Sequence, residues 1–314
     1  MPEIKWEGIY SALLTPFDAD DNIDFKLFET NINAQLEAGI DAIVLGGSLG
    51  EASTLTYQEK ENLLTNAKKI VKDKIPVILN IAEQSTSEAI RVAQNAEMNG
   101  ADGLMVLPPM RYNADKNETL GYFRNIVANT SLPIMIYNNP HDYKIEVTID
   151  MFEQLEQIPT IQAIKESTRD VSNVTRLKNR FKNRFKILCG VDTLAFEELT
   201  MGADGWVGGL VDAFPTETVA VYRLIKAGKY QQALKIFQWF LPLLELDTHP
   251  KFAQYIKLAA TQTGIGSEYV RAPRMKLMGN EREKILRTIN NAIIARHEIM
   301  NDLQSALLVN VDEL

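Results

Sequence analysis

Eight short apolar runs, each followed by a longer amphipathic segment, recur from Tyr10 to about Lys226 and restrict the fold of this chain more than any other feature. They begin at Tyr10 (YSALLTPF), Ile40 (IDAIVLGG), Ile75 (IPVILNIA) and Ala101 (ADGLMVLPP). The series continues at Leu132 (LPIMIYNNP), Ile161 (IQAIKES), Phe185 (FKILCGVD) and Ala203 (ADGWVGGLVD). Each is continuously apolar rather than alternating, the pattern of a parallel strand buried on both faces. The intervening segments have helical period, as at about 24–38, 57–72 and 86–98, and Thr56 with Glu59 has capping-box spacing. Three joints (EAGIDAIVLGG, MNGADGLMVLP and TMGADGWVGGL) echo one another, with Gly where a left-handed helix end is needed and Asp at the strand entry. Eight strand–helix units in order predict an α/β fold, a (β/α)8 TIM barrel. A doubly wound open sheet would carry a Gly-rich dinucleotide fingerprint after its first strand, and none follows Leu14.

Three further segments read as helices: KYQQALKIFQWFLPLLEL, HPKFAQYIKLAATQTG and NEREKILRTINNAIIARHEIMNDL. The expected division is a catalytic barrel over 1–227 and a C-terminal helical appendage over 228–314. Charge limits the partners. The net charge is −8 and no basic tract occurs, which argues against nucleic acid and anionic membrane surfaces. No run approaches the ~18 apolar residues of a membrane span, and the N-terminus lacks the pattern of a secretory signal. The single cysteine, Cys189, reads as a small core residue and fits a reducing, cytoplasmic setting. His141, His249 and His297 have no spacing suited to zinc, so no metal is expected.

Barrel active sites form at the C-terminal ends of the strands, which directs attention to GGSLGE, YNNP, IKES, CGVD and WVGGLVD. Lys165 ends the sixth run. Taken alone, it is more often a side chain that snorkels to water; in a barrel mouth it is instead a desolvated amine able to attack a carbonyl. Tyr137 ends the fifth run, and is either a core aromatic or a proton carrier for a Schiff-base carbinolamine. GGSLGE offers backbone N–H groups and one hydroxyl to a carboxylate, and is equally a tight strand–helix turn. His141 follows YNNP, facing the mouth or without a role.

The ordered set TPF, GSLGE, YNNP, IKES and RAPR resembles the pyruvate-dependent class I aldolase superfamily that includes dihydrodipicolinate synthase and N-acetylneuraminate lyase. That resemblance implies Lys165 as the Schiff-base lysine, with no other cofactor, and Tyr137 as the proton-transferring phenol. It implies that Ser48, with the Leu49 N–H and Gly47, holds a 2-oxo acid carboxylate, and that Gly190 and Val207 line the pocket. It also implies a homodimer or homotetramer, with Tyr112 completing the proton relay, if need be in a neighbouring subunit's site. Two departures narrow the choice. YNNPHDYKIEV lacks the arginine that dihydrodipicolinate synthases use for a second carboxylate, and the usual GTTGE reads GSLGE. LPPMRYNADKNETLGYF, GLVDAFP and FLPLLELD look closest to the 1-pyrroline-4-hydroxy-2-carboxylate deaminases of hydroxyproline catabolism, which release ammonia and 2,5-dioxopentanoate. The alternatives are an aldolase or dehydratase of a 2-keto-3-deoxy sugar acid, an N-acetylneuraminate-lyase-like enzyme, and a non-catalytic binding barrel.

Overall fold

Pairing of the last strand with the first closes the sheet. The computed structural model describes residues 4–109 and 112–309, and its strands run in sequence order around a closed parallel barrel. They are β1 (Gly8–Ala12), β2 (Ala42–Leu45), β3 (Val77–Ile81) and β4 (Gly103–Val106), then β5 (Ile134–Asn138), β6 (Ile161–Glu166), β7 (Lys186–Cys189) and β8 (Gly205–Gly208). Each overlaps one of the apolar runs, β1 beginning two residues before Tyr10.

Those runs are continuous because two cores compete for alternate residues. Tyr10, Val44, Ile78, Met105, Met135 and Leu188 fill the barrel interior. Their strand neighbours Ile43, Leu79, Val106, Ile136 and Ile187 pack outward under the helices. The side-chain period of two is present but hidden, since both faces are dry.

The repeated helix–strand joints have a physical basis. Gly39, Gly100 and Gly202 take φ of 87°, 82° and 101°, a region closed to most side chains. The Asp that follows each clamps the preceding strand. Asp41 accepts the Ile9 N–H at 2.7 Å, Asp102 that of Val77 at 2.8 Å and Asp204 that of Ile187 at 2.7 Å. The expected capping box is also formed, Thr56 accepting from the Glu59 N–H at the start of helix Tyr57–Val71.

Beyond the barrel lie helices Tyr230–Leu244, Phe252–Gln262, Gly279–Ala295 and Met300–Leu307. The third expected segment is therefore two helices, divided by one 3-10 turn at Arg296–Ile299. Tyr230–Leu244 and Met300–Leu307 pack on the last barrel helix, Pro215–Lys226, and Phe214 meets Trp239 and Phe240 edge-on there. Among the described residues no helix is long and apolar enough to cross a membrane. Nor is there a group of three or more His, Cys, Asp or Glu side chains placed to hold a metal.

Candidate active site

Register brings the two central residues together. β5 and β6 pair with Tyr137 opposite Lys165, and alternation sends both side chains into the barrel mouth. Glu166, one residue on, accepts instead from the Thr168 N–H at 2.7 Å and from Asn173 at 2.8 Å. The Lys165 Nζ stands 4.1 Å from the centre of the Tyr137 ring. The residue is only 6% exposed, yet it lines a cavity of about 380 Å³. Gly190 makes room for it, since a Cβ there would lie 2.7 Å from Lys165 Cε and 2.1 Å from Ser167 Oγ. Burial pushes the amine below the usual lysine range, opposed by the nearby Tyr143, Asp247 and Asp192.

The phenols form a short chain. Tyr137 accepts from the Asn139 amide at 3.1 Å, and burial pushes its hydroxyl up to about 12 while that hydrogen bond opposes the rise. Tyr143 packs edge-on against it, ring centres 5.6 Å apart, and shares a hydrogen bond with Ser48 Oγ. Tyr143 reaches this place on a one-turn helix, Pro140–Tyr143, which Asn139 caps by accepting the Asp142 N–H at 3.1 Å.

The Ser48 loop is held from several sides. Gly46 has φ 63° and accepts from Asn80 at 2.9 Å. Thr15 donates to the Gly50 carbonyl at 2.7 Å. Glu51, fully buried, accepts from Lys257 and from the Arg271 N–H, the latter at 3.1 Å. The Arg271 guanidinium grips both carboxylate oxygens of Glu59, at 2.8 and 2.9 Å. TPF and RAPR thus position the loop, with Thr15 and Arg271 outside the cavity wall. Among the described residues no group accepts from the Ser48 or Leu49 N–H, which leaves two donors for an anion.

Gly47, Ser48, Leu49, Tyr137, Lys165, Gly190 and Val207 all line this one cavity, and His141 stands at it with Nδ1 on Asp142 at 3.1 Å. Tyr112 does not. It is 56% exposed in the turn before helix Lys116–Val127, beside Glu118, so within one chain the second phenol is Tyr143. The neighbouring Met110 and Arg111 of LPPMRYN lie outside the described residues. The sequence reasoning also missed Asn139, Arg169 and Asp247. Asn139 before Pro140 was a readable helix start that would have turned Tyr143 back to the mouth. Asp247 comes from the turn Glu245–Thr248 between two C-terminal helices, where a loop acid carries no signal of its own.

The arrangement can therefore hold a carboxylate at backbone donors, attack the adjacent carbonyl with a desolvated amine, and pass protons through a phenol. Residues 5–292 match the model of the dihydrodipicolinate synthetase family. A 4-hydroxy-tetrahydrodipicolinate synthase of Exiguobacterium sibiricum is 32% identical over 276 residues, covering 87% of this chain and 92% of the relative. The structure of the corresponding synthase of Methylacidiphilum fumariolicum superposes with a TM-score of 0.88 at 29% identity, covering 96% of this chain and 99% of that one. The dihydrodipicolinate synthase of Acinetobacter baumannii, solved in complex with pyruvate, gives 0.88 at 26% identity over 92% of this chain and all of that one (100%).

Proposed function

The chain belongs to the dihydrodipicolinate synthetase family, and from that premise we propose that it is a Schiff-base deaminase acting through Lys165 on 1-pyrroline-4-hydroxy-2-carboxylate. Family members work through a lysine Schiff base to a 2-oxo acid and need no external cofactor. The observation that carries the finer reading is the charge of the cavity. Apart from Lys165, its one described arginine or lysine is Arg169, and that charge faces the carboxylate of Asp142. Such a wall suits a substrate with one carboxylate, a nitrogen and a hydroxyl better than one with two carboxylates.

In this reading Ser48 and the Leu49 N–H hold the carboxylate while Lys165 attacks C2 of the cyclic imine. Ring opening leaves a ketimine on Lys165 and a free amine at C5. Loss of a C3 proton through Tyr137 gives an enamine, which expels the C4 hydroxyl as water. Tautomerisation moves the unsaturation to C5, where hydrolysis releases ammonia, and a second hydrolysis frees 2,5-dioxopentanoate from Lys165. The covalent amine is the electron sink.

Borohydride trapping with pyruvate, then with the pyrroline, followed by peptide mass mapping and an ammonia assay, tests this. A Lys165 adduct and stoichiometric ammonia are expected; an adduct elsewhere, or none, overturns the mechanism. One observation favours a second reading, a synthase like the named relatives, because Arg169 at the rim offers a cation to a second carboxylate. That reading predicts condensation of pyruvate with a semialdehyde and no ammonia.

A further inference from the structure

Two carboxylates, Asp192 and Asp247, stand close enough to bear on the Lys165 amine, and a third, Asp142, bears on Asp247. Two of the three are occupied. Asp142 accepts from Asn139 at 2.7 Å and meets His141 at 3.1 Å. Asp192 accepts from Trp206 Nε1 at 2.9 Å, the Gly209 N–H at 3.1 Å and the Leu210 N–H at 2.9 Å, and so ties the loop after β7 to the loop after β8. Asp247 is different. It lines the cavity, and no described residue makes a hydrogen bond or ion pair with it. Its approach depends on Gly209, because Asp247 Oδ1 lies 2.7 Å from the place a Cβ on that glycine would take. Leu49 Cδ2 lies 3.2 Å from the same point, so an apolar side chain borders the carboxyl group.

Resting on the deaminase reading, we infer that Asp247 is the acid that protonates the C4 hydroxyl as it leaves the Lys165-bound enamine. The enamine nitrogen lone pair re-forms the C2 iminium, the C2–C3 double bond becomes C3–C4, and the C4–O bond breaks with its electrons on oxygen. The Asp247 carboxyl proton goes to that oxygen, and water departs. The carboxylate left behind takes a C5 proton in the tautomerisation that follows, while the proton that Tyr137 removed from C3 returns to the carbon chain, so the acid is restored and no further reactant is required.

The surroundings favour this role. Burial and the charge of Asp192 hold Asp247 well above the usual carboxylate range, with Lys165 opposing. As the iminium re-forms from the enamine, its developing positive charge favours the carboxylate, so the acid strengthens while its proton is being transferred. The phenols are otherwise engaged, Tyr137 with the C3 proton in this sequence and Tyr143 in a hydrogen bond shared with Ser48.

The test is Asp247→Asn in the full-length chain. With pyruvate, the variant is expected to form the borohydride-trapped Lys165 adduct as the parent does. With the pyrroline, ammonia release should fall by roughly 10²–10⁴-fold, and the trapped adduct should be heavier by one water because the C4 oxygen is retained. Asp247→Glu should recover part of the turnover. Unchanged ammonia release by Asp247→Asn overturns the role, as does loss of the pyruvate adduct together with turnover, the mark of a merely structural residue. A parent protein that forms the pyruvate adduct but releases no ammonia from the pyrroline overturns the deaminase reading itself.

Discussion

Lys165 in the barrel mouth and Lys257 at the seam with the C-terminal helices are both buried, at 6% and 1% exposure, yet their surroundings equip them for opposite tasks. Lys257 donates to Glu51 and to the Tyr269 carbonyl, the latter at 2.7 Å, and lies 4.5 Å from the Phe17 ring centre. Burial pushes its amine down to about 8, with Glu51 opposing. Among the described residues Lys165 has no carboxylate at ion-pair distance, rests on the Tyr137 ring, and opens onto a cavity. Desolvation is common to both. What separates a nucleophile from a structural tie is the missing partner and the open space beside it.

The sharpest way to break this contrast is Lys165→Ala, which should abolish both the trapped adduct and turnover while leaving the fold intact. An adduct that moves to Lys257 would show that pairing with Glu51 does not withhold an amine. Tyr137→Phe should lower kcat by roughly 10²–10⁴-fold with the barrel still folded; unchanged kinetics would remove this phenol from the proton path. Lys257→Met should act on stability instead. Leaving Glu51 buried beside fewer partners costs roughly 3–5 kcal/mol when a buried pair is broken, toward the lower end here because the Arg271 N–H remains. Thermal unfolding should show that loss, with adduct formation at Lys165 retained below the lowered Tm; the reverse outcome would exchange the two roles.

The smallest effect concerns pH. Attack requires the neutral amine, and burial lowers the folded Lys165 value from 10.5. The rate of pyruvate adduct formation should therefore climb with pH and level off at an inflection below 10.5. An inflection at the ordinary lysine value would mean that the site does not desolvate this side chain.

Much of the barrel was legible because a two-sided buried strand needs a continuous apolar run, and the Gly–Asp joints mark where helices end and strands are clamped. The inward or outward aim of each strand residue was not, because two dry faces erase the alternation that separates Ile164 from Lys165. Lys165 and Tyr137 stood out only as polar endings of otherwise apolar runs. Asp247 and Arg169 gave no comparable sign, since a charged residue in a turn looks solvated until the chain folds over the mouth. Proximity to the fourth strand in sequence does not bring Tyr112 to the cavity of its own chain, whereas one short helix brings Tyr143 there.

The wall that includes Asp247, Thr248, His249, Pro250 and Phe252 is carried by no strand. The barrel strands supply Lys165 and Tyr137, while the segment joining two C-terminal helices supplies this part of the cavity wall. Selection for new substrates can then act on that segment without disturbing strand register or the three Asp clamps. For laboratory evolution, libraries confined to 248–252 should diversify selectivity at little cost in folded protein, whereas libraries across 46–51 would disturb a loop braced by Asn80, Thr15 and Lys257.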